Sequence, residues 1–306
     1  MYTVTALYHF APFPNFKDYQ KPILEIAQKN QMCGSLLIAH EGVNGTLAGP
    51  TKEGVVEFLN FLKSIPGFKN LEHKESTADE KPFLRLKIRL KKEIVTLGIP
   101  EVDPTKTVGT YVDPKDWNAL LNDPDAVVVD TRNEYEYHMG TFKGALNPHI
   151  DIFKDFPKYV KENLSDKKDK KIVMFCTGGI RCEKASSYML LEGYDKVYHL
   201  KGGILKYLEN VAPQESLWEG DCFVFDRRVG LSHGLETSKM ELCYGCRMPI
   251  SPEMKEHEDY EEGVQCPLCA PTLSEEKRKR FKNRKFQIDL GKKRGYNHLG
   301  ERQPRA

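Results

Sequence analysis

The 306-residue chain lacks the long apolar runs that membrane proteins need. No stretch of about 18 apolar residues is present, so the sequence predicts no membrane span. Residues 1–10 have neither the basic start nor the apolar core of a secretory signal peptide. There is also no G-x-G-x-x-G loop for a dinucleotide and no evident iron-binding facial triad. These absences predict a cytoplasmic protein and leave no sequence signature for a redox cofactor.

Cysteine is present, but not in the pattern of a secreted disulfide scaffold. The chain has eight cysteines, and four of them form two C-x-x-C pairs. A chain of this length can hold two or three domains with real cores, so it does not need disulfides to fold. We therefore expect reduced thiols in a cytosolic compartment.

The small net charge of +2 results from two opposite imbalances. Residues 275–306 contain 12 Lys or Arg against 4 Asp or Glu, whereas the rest of the chain contains 34 against 40. A basic tail with interleaved aromatic residues suits phosphate contact and base stacking. A solvated helix or a disordered end would explain the tail equally well. The candidate nucleic-acid-binding residues are Lys277, Arg278, Arg280, Lys282, Arg284 and Lys285.

One short segment carries the strongest chemical signal. Residues 172–175 form an apolar run that predicts a buried strand, and helical spacing begins near Ala185. Between them lies the strand-to-helix turn Cys176-Thr-Gly-Gly-Ile-Arg181. Its glycines let backbone N–H groups face inward, the helix adds its positive end, and Arg181 adds a charge. These features predict a nucleophilic thiolate at Cys176, although a lone cysteine would more simply be a buried core residue.

Two further motifs accompany the cysteine loop. Asp130-Thr-Arg132 follows one apolar strand, and Leu200-Lys-Gly-Gly203 follows another. The three motifs together resemble the rhodanese-like domain over about residues 112–212, which implies a mainly parallel α/β sheet. The six-residue spacing from Cys176 to Arg181 is similar to that of the persulfide-forming members. We expect Cys176 and Arg181 to be catalytic, with Asp130 and Arg132 in a supporting role.

The N-terminal third alternates strand and helix patterns in the order βαββαβ, which predicts a ferredoxin-like domain over residues 1–95. Helices are expected at residues 15–30 and 51–64, and a turn at residues 42–45. The motif Glu41–Gly49 is either a simple hairpin or a functional element. The final strand of this domain carries its basic side chains on one face, which is either solvated or directed at nucleic acid; they are Arg85, Lys87 and Arg89.

The last third, residues 213–306, contains the two C-x-x-C pairs. Cys243 and Cys246 are separated from Cys266 and Cys269 by 19 residues. This spacing predicts a four-thiolate zinc site, which would be structural because it leaves no position open for substrate. Free thiols or two local disulfides are the alternative. Upstream of the pairs, residues 223–229 are expected to form a strand.

The order of these three units is similar to that of the rhodanese-related tRNA uridine hydroxylases over nearly the whole chain. The resemblance rests on Glu41–Gly49, Cys176–Lys184, residues 223–234 and the C-x-x-C pairs. It implies a multidomain α/β and α+β protein that acts on tRNA. The implied reaction is oxygen-dependent hydroxylation of the wobble uridine to 5-hydroxyuridine, with Cys176 as a persulfide-forming cysteine and molecular oxygen as co-substrate.

Two other functions are compatible with the same residues. A sulfurtransferase would take sulfur as a persulfide on Cys176 and pass it to a thiol acceptor, and the six-residue loop favours this equally. A non-enzymatic adaptor would use an inactive rhodanese-like fold to bind tRNA or protein. The intact Cys176 and Arg181 argue against the adaptor.

Overall fold

The structure is a computed structural model that describes residues 1–295; residues 296–306, at the end of the expected C-terminal region, lie outside the described residues. No helix in the described part is long and apolar enough to cross a membrane. In chain order the helices and strands are β1 (Tyr2–Phe10), α1 (Gln20–Lys29), β2 (Cys33–Ala39), β3 (Gly42–Gly49), α2 (Lys52–Ser64), β4 (His73–Ala78), β5 (Leu86–Leu90), β6 (Thr110–Val112), α3 (Pro114–Leu121), β7 (Ala126–Asp130), α4 (Glu134–Met139), β8 (Gly140–Phe142), α5 (Phe156–Asn163), β9 (Lys171–Phe175), α6 (Ile180–Leu191), β10 (Val197–Leu200), α7 (Gly203–Asn210), β11 (Trp218–Gly220), β12 (Cys222–Phe223), β13 (Gly230–Leu231), β14 (Glu241–Leu242), β15 (Pro249–Ile250), α8 (Pro252–Lys255) and α9 (Glu275–Lys293).

The N-terminal unit has the expected βαββαβ order from β1 to β4, and a further strand, β5, follows it. Its strands form one sheet in the order β4-β1-β3-β2-β5, in which β5 adds to β2 in parallel and the other pairs are antiparallel. Helices α1 and α2 supply Ile23 and Phe58 to a core that also contains Leu36 of β2. The ferredoxin-like prediction is confirmed, because each amphipathic helix buries its apolar face in this core.

Two local predictions in this unit are wrong. Residues 42–45 belong to β3 rather than to a turn, since the chain reverses earlier, at His40 and Glu41. Gly42 is required there because a Cβ atom would lie 1.9 Å from the carbonyl oxygen of His9 on the adjacent strand. Helix α1 begins at Gln20 instead of residue 15, which places Pro22 in the first turn, where its missing N–H does no harm.

The central unit contains the parallel sheet that the motifs predict, in the order β6-β10-β9-β7. Ile172 to Phe175 of β9 are all fully buried. A central parallel strand is covered on both faces, which explains its continuous apolar run. The carboxyl end of β9 therefore opens at the edge where sheets of this kind place their sites.

The C-terminal region starts with β11, which pairs with β8 of the central unit. The predicted strand at residues 223–229 is wrong: β12 and β13 form a short hairpin around a tight turn. Within the turn Arg228 donates to the Asp226 carboxylate at 2.9 and 2.5 Å, and Val229 has a φ of 63°. An ion pair between residues two apart curls the chain, and a positive φ ends extended backbone.

Candidate active site

Cys176 lies at the carboxyl end of β9, where the chain turns into α6. Its Sγ accepts a hydrogen bond from the backbone N–H of Gly179 at 3.1 Å. The carbonyl oxygens of Cys176 and Thr177 accept hydrogen bonds from the N–H groups of Ile204 and Leu205, at 2.9 and 3.1 Å. Helix α7 thus holds the loop's carbonyl oxygens on the side away from the sulfur, which is the arrangement predicted for an anion-stabilising loop.

The surroundings of Cys176 favour its thiolate form. Burial alone would raise the pKa of this thiol, but the Cys182 thiol, the Arg181 charge and the backbone N–H groups of Cys182 and Gly179 together lower it well below its usual value. Burial raises the pKa of Cys182, which is fully enclosed and lies 3.5 Å from the Thr131 hydroxyl. The two sulfurs therefore differ in character: Cys176 is the anion and Cys182 its neutral donor.

Arg181 does not stand beside the sulfur as a free charge. Its guanidinium donates to both carboxylate oxygens of Glu136 on α4, at 2.6 and 2.8 Å, and this pair is buried. Burial alone would raise the pKa of Glu136, but Arg181 lowers it, so the carboxylate stays charged. Glu136 also accepts from the Thr177 hydroxyl at 3.1 Å. The sequence pattern contained Glu136 but gave it no role; the structure places it as the group that orients Arg181 and the loop.

Asp130 and Arg132 form a buried ion pair next to α4, and their contacts are with groups other than the Cys176 sulfur. Arg132 is fully buried and donates to both oxygens of Asp130, at 2.9 and 2.6 Å, and to the carbonyl oxygen of Gly140 at 2.5 Å. The Thr141 hydroxyl donates to Asp130 at 3.1 Å. This network fixes the two ends of α4 and hence the position of Glu136, so Asp130 and Arg132 support the site through α4.

The N-terminal unit covers the cysteine loop, which no local sequence pattern indicated. The Tyr8 hydroxyl of β1 donates to Glu183 at 2.8 Å, and the Lys74 ammonium of β4 donates to the carbonyl oxygen of Gly178 at 2.9 Å. Burial lowers the pKa of Lys74, while the Cys176 thiolate opposes this shift. Tyr8 and Lys74 lie on two adjacent strands of another unit, so only the folded chain brings them to Cys176.

The Glu41–Gly49 motif also has a role that its glycines did not reveal. Lys184 of α6 is 2% exposed and contacts the carboxylates of Glu41 at 2.9 Å and Glu93 at 2.6 Å. Glu41 accepts from the N–H of Ile94 at 2.6 Å, and the Asn44 side chain donates to the carbonyl oxygen of Ile94 at 2.8 Å. The motif therefore joins the N-terminal unit, the connecting segment and the cysteine loop's helix.

A cavity of about 540 Å³ lies above Cys176. This size falls within the range of about 300–1,000 Å³ that is typical of small-molecule sites. All three regions of the chain line it, including Tyr8, Asn44, Thr46, Lys74, Asn133, Cys176, Arg181, Phe225 and Arg228. The arrangement can hold a planar, partly polar group next to a sulfur nucleophile.

The four cysteines of the C-x-x-C pairs come together as predicted. Their sulfur atoms all lie within 4.8 Å of one another, with Cys243 to Cys269 at 4.0 Å and Cys246 to Cys266 at 3.8 Å. Zn–S bonds of about 2.3 Å in a tetrahedron require sulfurs about 3.8 Å apart, so this donor set fits a metal ion such as zinc. The cysteines are free thiols, since disulfide sulfurs lie only about 2.05 Å apart.

The six candidate nucleic-acid-binding residues lie on α9, and four of them contact the four-cysteine module. Lys282 pairs with Glu261 at 3.0 Å, Lys285 with Glu262 at 3.0 Å, and Arg284 donates to the carbonyl oxygen of Tyr244 at 2.5 Å. Arg278 contacts the side chain of Gln265. Of the six candidates, Lys277 and Arg280 are exposed without an acidic partner within the part of the chain that is described.

Comparisons with known proteins agree with this architecture. Family models described as a UPF0176 acylphosphatase-like domain and a rhodanese-like domain match residues 2–94 and 113–210. A tRNA uridine(34) hydroxylase of Agrobacterium fabrum is 55% identical, covering 98% of this chain and 95% of its own. A protein of the same name from Rhizobium etli is 54% identical, covering 98% and 96%. The solved rhodanese-like domain of an Anabaena sp. protein is 21% identical and covers 36% of this chain and 78% of that one, with a TM-score of 0.30.

Proposed function

Since the chain belongs to the tRNA uridine(34) hydroxylase family, it is an enzyme that hydroxylates the wobble uridine of tRNA, and we propose that it does so at C5 of the base in the cavity above Cys176. The observation that carries this proposal is the position of Cys176, which lines a cavity of about 540 Å³ and whose Sγ accepts a hydrogen bond from the N–H of Gly179. Cys176 is the reacting nucleophile. Arg181, held by Glu136, favours its anionic form. Asp130 and Arg132 hold the helix that carries Glu136.

Molecular oxygen is the proposed co-substrate. Hydroxylation at C5 replaces a C–H bond with a C–OH bond, so one atom of oxygen enters the base and the other leaves as water. This balance takes two electrons and two protons from an external reductant. The resemblance to persulfide-forming rhodanese-like domains suggests that the Cys176 thiolate attacks the sulfane sulfur of an external donor. The persulfide then forms on Cys176 while the rest of the donor leaves as an anion, and the cavity gives room for the second sulfur.

The sulfurtransferase alternative fits the structure less well. Cys176 is 1% exposed because Tyr8 and Lys74 cover its loop. A protein thiol acceptor could not approach the sulfur without separating the N-terminal unit from α6. A cavity of about 540 Å³ is large enough for a single nucleobase, which favours hydroxylation of a nucleotide.

We also propose zinc as the ion held by Cys243, Cys246, Cys266 and Cys269, with a structural role because four thiolates leave no open position. We further propose that the chain divides into units at residues 1–95, 112–212 and 213–306. A cytoplasmic location, where tRNA is found, belongs to the same proposal. Lys277 and Arg280 remain candidates for tRNA contact. The candidates Arg278, Lys282, Arg284 and Lys285 would have to exchange their present partners for phosphate.

The decisive experiment measures 5-hydroxyuridine in bulk tRNA by mass spectrometry. A strain that lacks this gene is complemented with wild type, Cys176→Ser or Cys33→Ser. Serine keeps the shape of Cys176 but removes the soft nucleophile, so that variant should restore less than about 1% of the wild-type level, in line with the large losses seen when a covalent nucleophile is removed. Cys33 is buried in the N-terminal unit and its thiol contacts a carbonyl oxygen that serine can also reach, so it is the matched control. Full restoration by Cys176→Ser would refute the proposal.

A further inference from the structure

Phe225 is a large aromatic side chain that folding leaves in solvent. It is 60% exposed, although its neighbours Val224 and Asp226 are buried. Its ring lies 5.1 Å from that of Phe223, edge to face, and 6.0 Å from the guanidinium carbon of Arg181. An exposed aromatic ring is therefore fixed at the mouth of the Cys176 cavity, beside the catalytic loop.

The turn that carries Phe225 is held rigidly. Val224 donates to the carbonyl oxygen of Val229 at 2.8 Å, and Arg228 reaches across to the Ser76 hydroxyl of β4 at 2.8 Å. Arg227 donates its N–H to the carbonyl oxygen of Pro82 at 3.1 Å. These contacts tie the turn to the N-terminal unit, so the position of Phe225 is set before any ligand arrives, which lowers the entropic cost of binding.

A second groove, of about 650 Å³, adjoins the first cavity. The two share Val224, Phe225 and Asp226 as a common wall. The groove is lined by exposed cations from three separate segments, namely Arg85, Lys87, Arg227 and Arg247. Within residues 1–295, none of these four has a carboxylate oxygen within 4.0 Å of its charged nitrogens. Unpaired cations in one groove are the electrostatic footprint of a polyanion.

We propose that the turn at residues 224–229 receives the anticodon loop: the wobble base stacks on Phe225 and enters the Cys176 cavity, while neighbouring phosphates lie in the groove against Arg85, Lys87, Arg227 and Arg247. This inference rests on the proposed function. Enzymes that act on a base extrude it from its neighbours, and unpaired loop bases are typically received on aromatic side chains. Four of the nine cations of the tail helix, in contrast, already contact the four-cysteine module: Arg278, Lys282, Arg284 and Lys285.

The stacking role is tested with an anticodon stem-loop RNA and a fluorescence binding assay. Phe225→Ala should weaken binding about 5- to 150-fold, the range for loss of one stacked base, and Phe225→Trp should retain it. The matched control is Phe286→Ala, since Phe286 of α9 is 63% exposed but lies outside both cavities. It should bind like wild type. An equal loss in both alanine variants would overturn the proposal.

An RNA with an abasic site at position 34 sharpens this test. Wild type should lose at least as large a factor on the abasic RNA as Phe225→Ala loses on intact RNA, because the base also contacts the cavity. The variant should lose a smaller factor on the abasic RNA than wild type does, because its stacking contact is already gone. If the two losses multiply instead, Phe225 does not contact the wobble base. Cys176→Ser should bind intact RNA normally. If wild type forms 5-hydroxyuridine but Phe225→Ala binds the RNA as well as wild type does, the stacking inference alone is refuted. If Cys176→Ser restores hydroxylation, the proposed function alone is refuted.

The groove is tested by the salt dependence of the same binding. The double change Arg85→Gln and Arg227→Gln should reduce the slope of log K against log salt by about 1.4, or about 0.7 for each lost phosphate contact with a single strand. Arg89→Gln is the matched control, because Arg89 is exposed on β5, which begins directly after Arg85, but does not line the groove. An unchanged slope in the double variant, or an equal fall with Arg89→Gln, would place the phosphates elsewhere.

Discussion

The reactivity of Cys176 depends on a balance between burial and the groups that stabilise a thiolate. Burial opposes the charge, whereas the Cys182 thiol, Arg181 and the loop N–H groups favour it and prevail. The folded loop therefore stabilises the thiolate form of Cys176, which an isolated cysteine would not favour at neutral pH.

The pH dependence of alkylation follows from this balance. The folded-state pKa of Cys176 is lowered, so its reaction with iodoacetamide should stay near its maximum from about pH 8.5, the ordinary thiol pKa, down through neutrality, and fall only as the pH drops through the lowered pKa. Mass spectrometry of native protein after short exposure measures this. Cys33 and Cys182, whose pKa values are raised by burial, should stay unmodified. A midpoint near pH 8.5 for Cys176 would contradict the prediction.

Among the helices and strands, the start of α7 is essential to the shape of the cysteine loop, because it contacts the carbonyl oxygens of the loop. Gly203 has a φ of 68°, and a Cβ atom there would lie 2.5 Å from the carbonyl oxygen of Cys176 and 2.7 Å from that of Thr177. The second glycine of the Leu200-Lys-Gly-Gly203 motif thus permits α7 to begin against the loop and to bind its carbonyl oxygens.

Gly203→Ala should therefore destabilise the protein and disturb the site. The positive φ costs alanine about 1–2 kcal/mol, and the collision with the loop adds about 1–3 kcal/mol. Gly144→Ala is the matched control: its φ of 78° is similar, but a Cβ atom there meets nothing within 4 Å among the described residues. Urea unfolding should show the larger loss for Gly203→Ala, and only that variant should lose rapid Cys176 alkylation. Equal effects would show that backbone strain alone matters.

At the scale of the whole molecule, the active cavity exists only because three regions meet. The N-terminal unit contributes Tyr8 and Lys74, the central unit Cys176, and the C-terminal region Phe225. Lys184 joins the first two through Glu41 and Glu93. We infer that this ion triad sets how the N-terminal sheet rests on the cysteine loop.

Lys184→Met should loosen that contact. Removing one member of a largely buried ion cluster leaves the other charges unpaired and costs about 3 kcal/mol. Hydrogen exchange should accelerate at the Ile94 amide, which donates to Glu41, and the apparent unfolding free energy should fall. Lys201→Met is the control, because Lys201 is exposed and 3.6 Å from Asp113, a pair worth less than about 1 kcal/mol. Unchanged exchange in Lys184→Met would show that the triad does not hold the units together.

The order of the units, the cysteine loop and the four-cysteine cluster could all be predicted from the sequence. Each of these depends on residues that are close in the chain: the turn between β9 and α6 needs its glycines locally, and each C-x-x-C pair brings two thiols together within a single turn. The βαββαβ order was readable for the same reason, since hydrophobic periodicity reports which face of an element is buried.

The surroundings of Cys176 could not be predicted from the sequence and depend on the folded chain. Tyr8, Lys74 and Phe225 come from strands and a turn far from the loop in sequence, and periodicity does not tell which unit will cover an exposed or buried position. The same limit applied to charge: the sequence predicts only that Arg181 adds a positive charge, yet the fold pairs it with Glu136. The fold likewise pairs Lys184 with Glu41 and Glu93, which no local pattern indicated. A charge pattern gives the number of cations, whereas their availability to a ligand depends on the carboxylates that folding brings within reach.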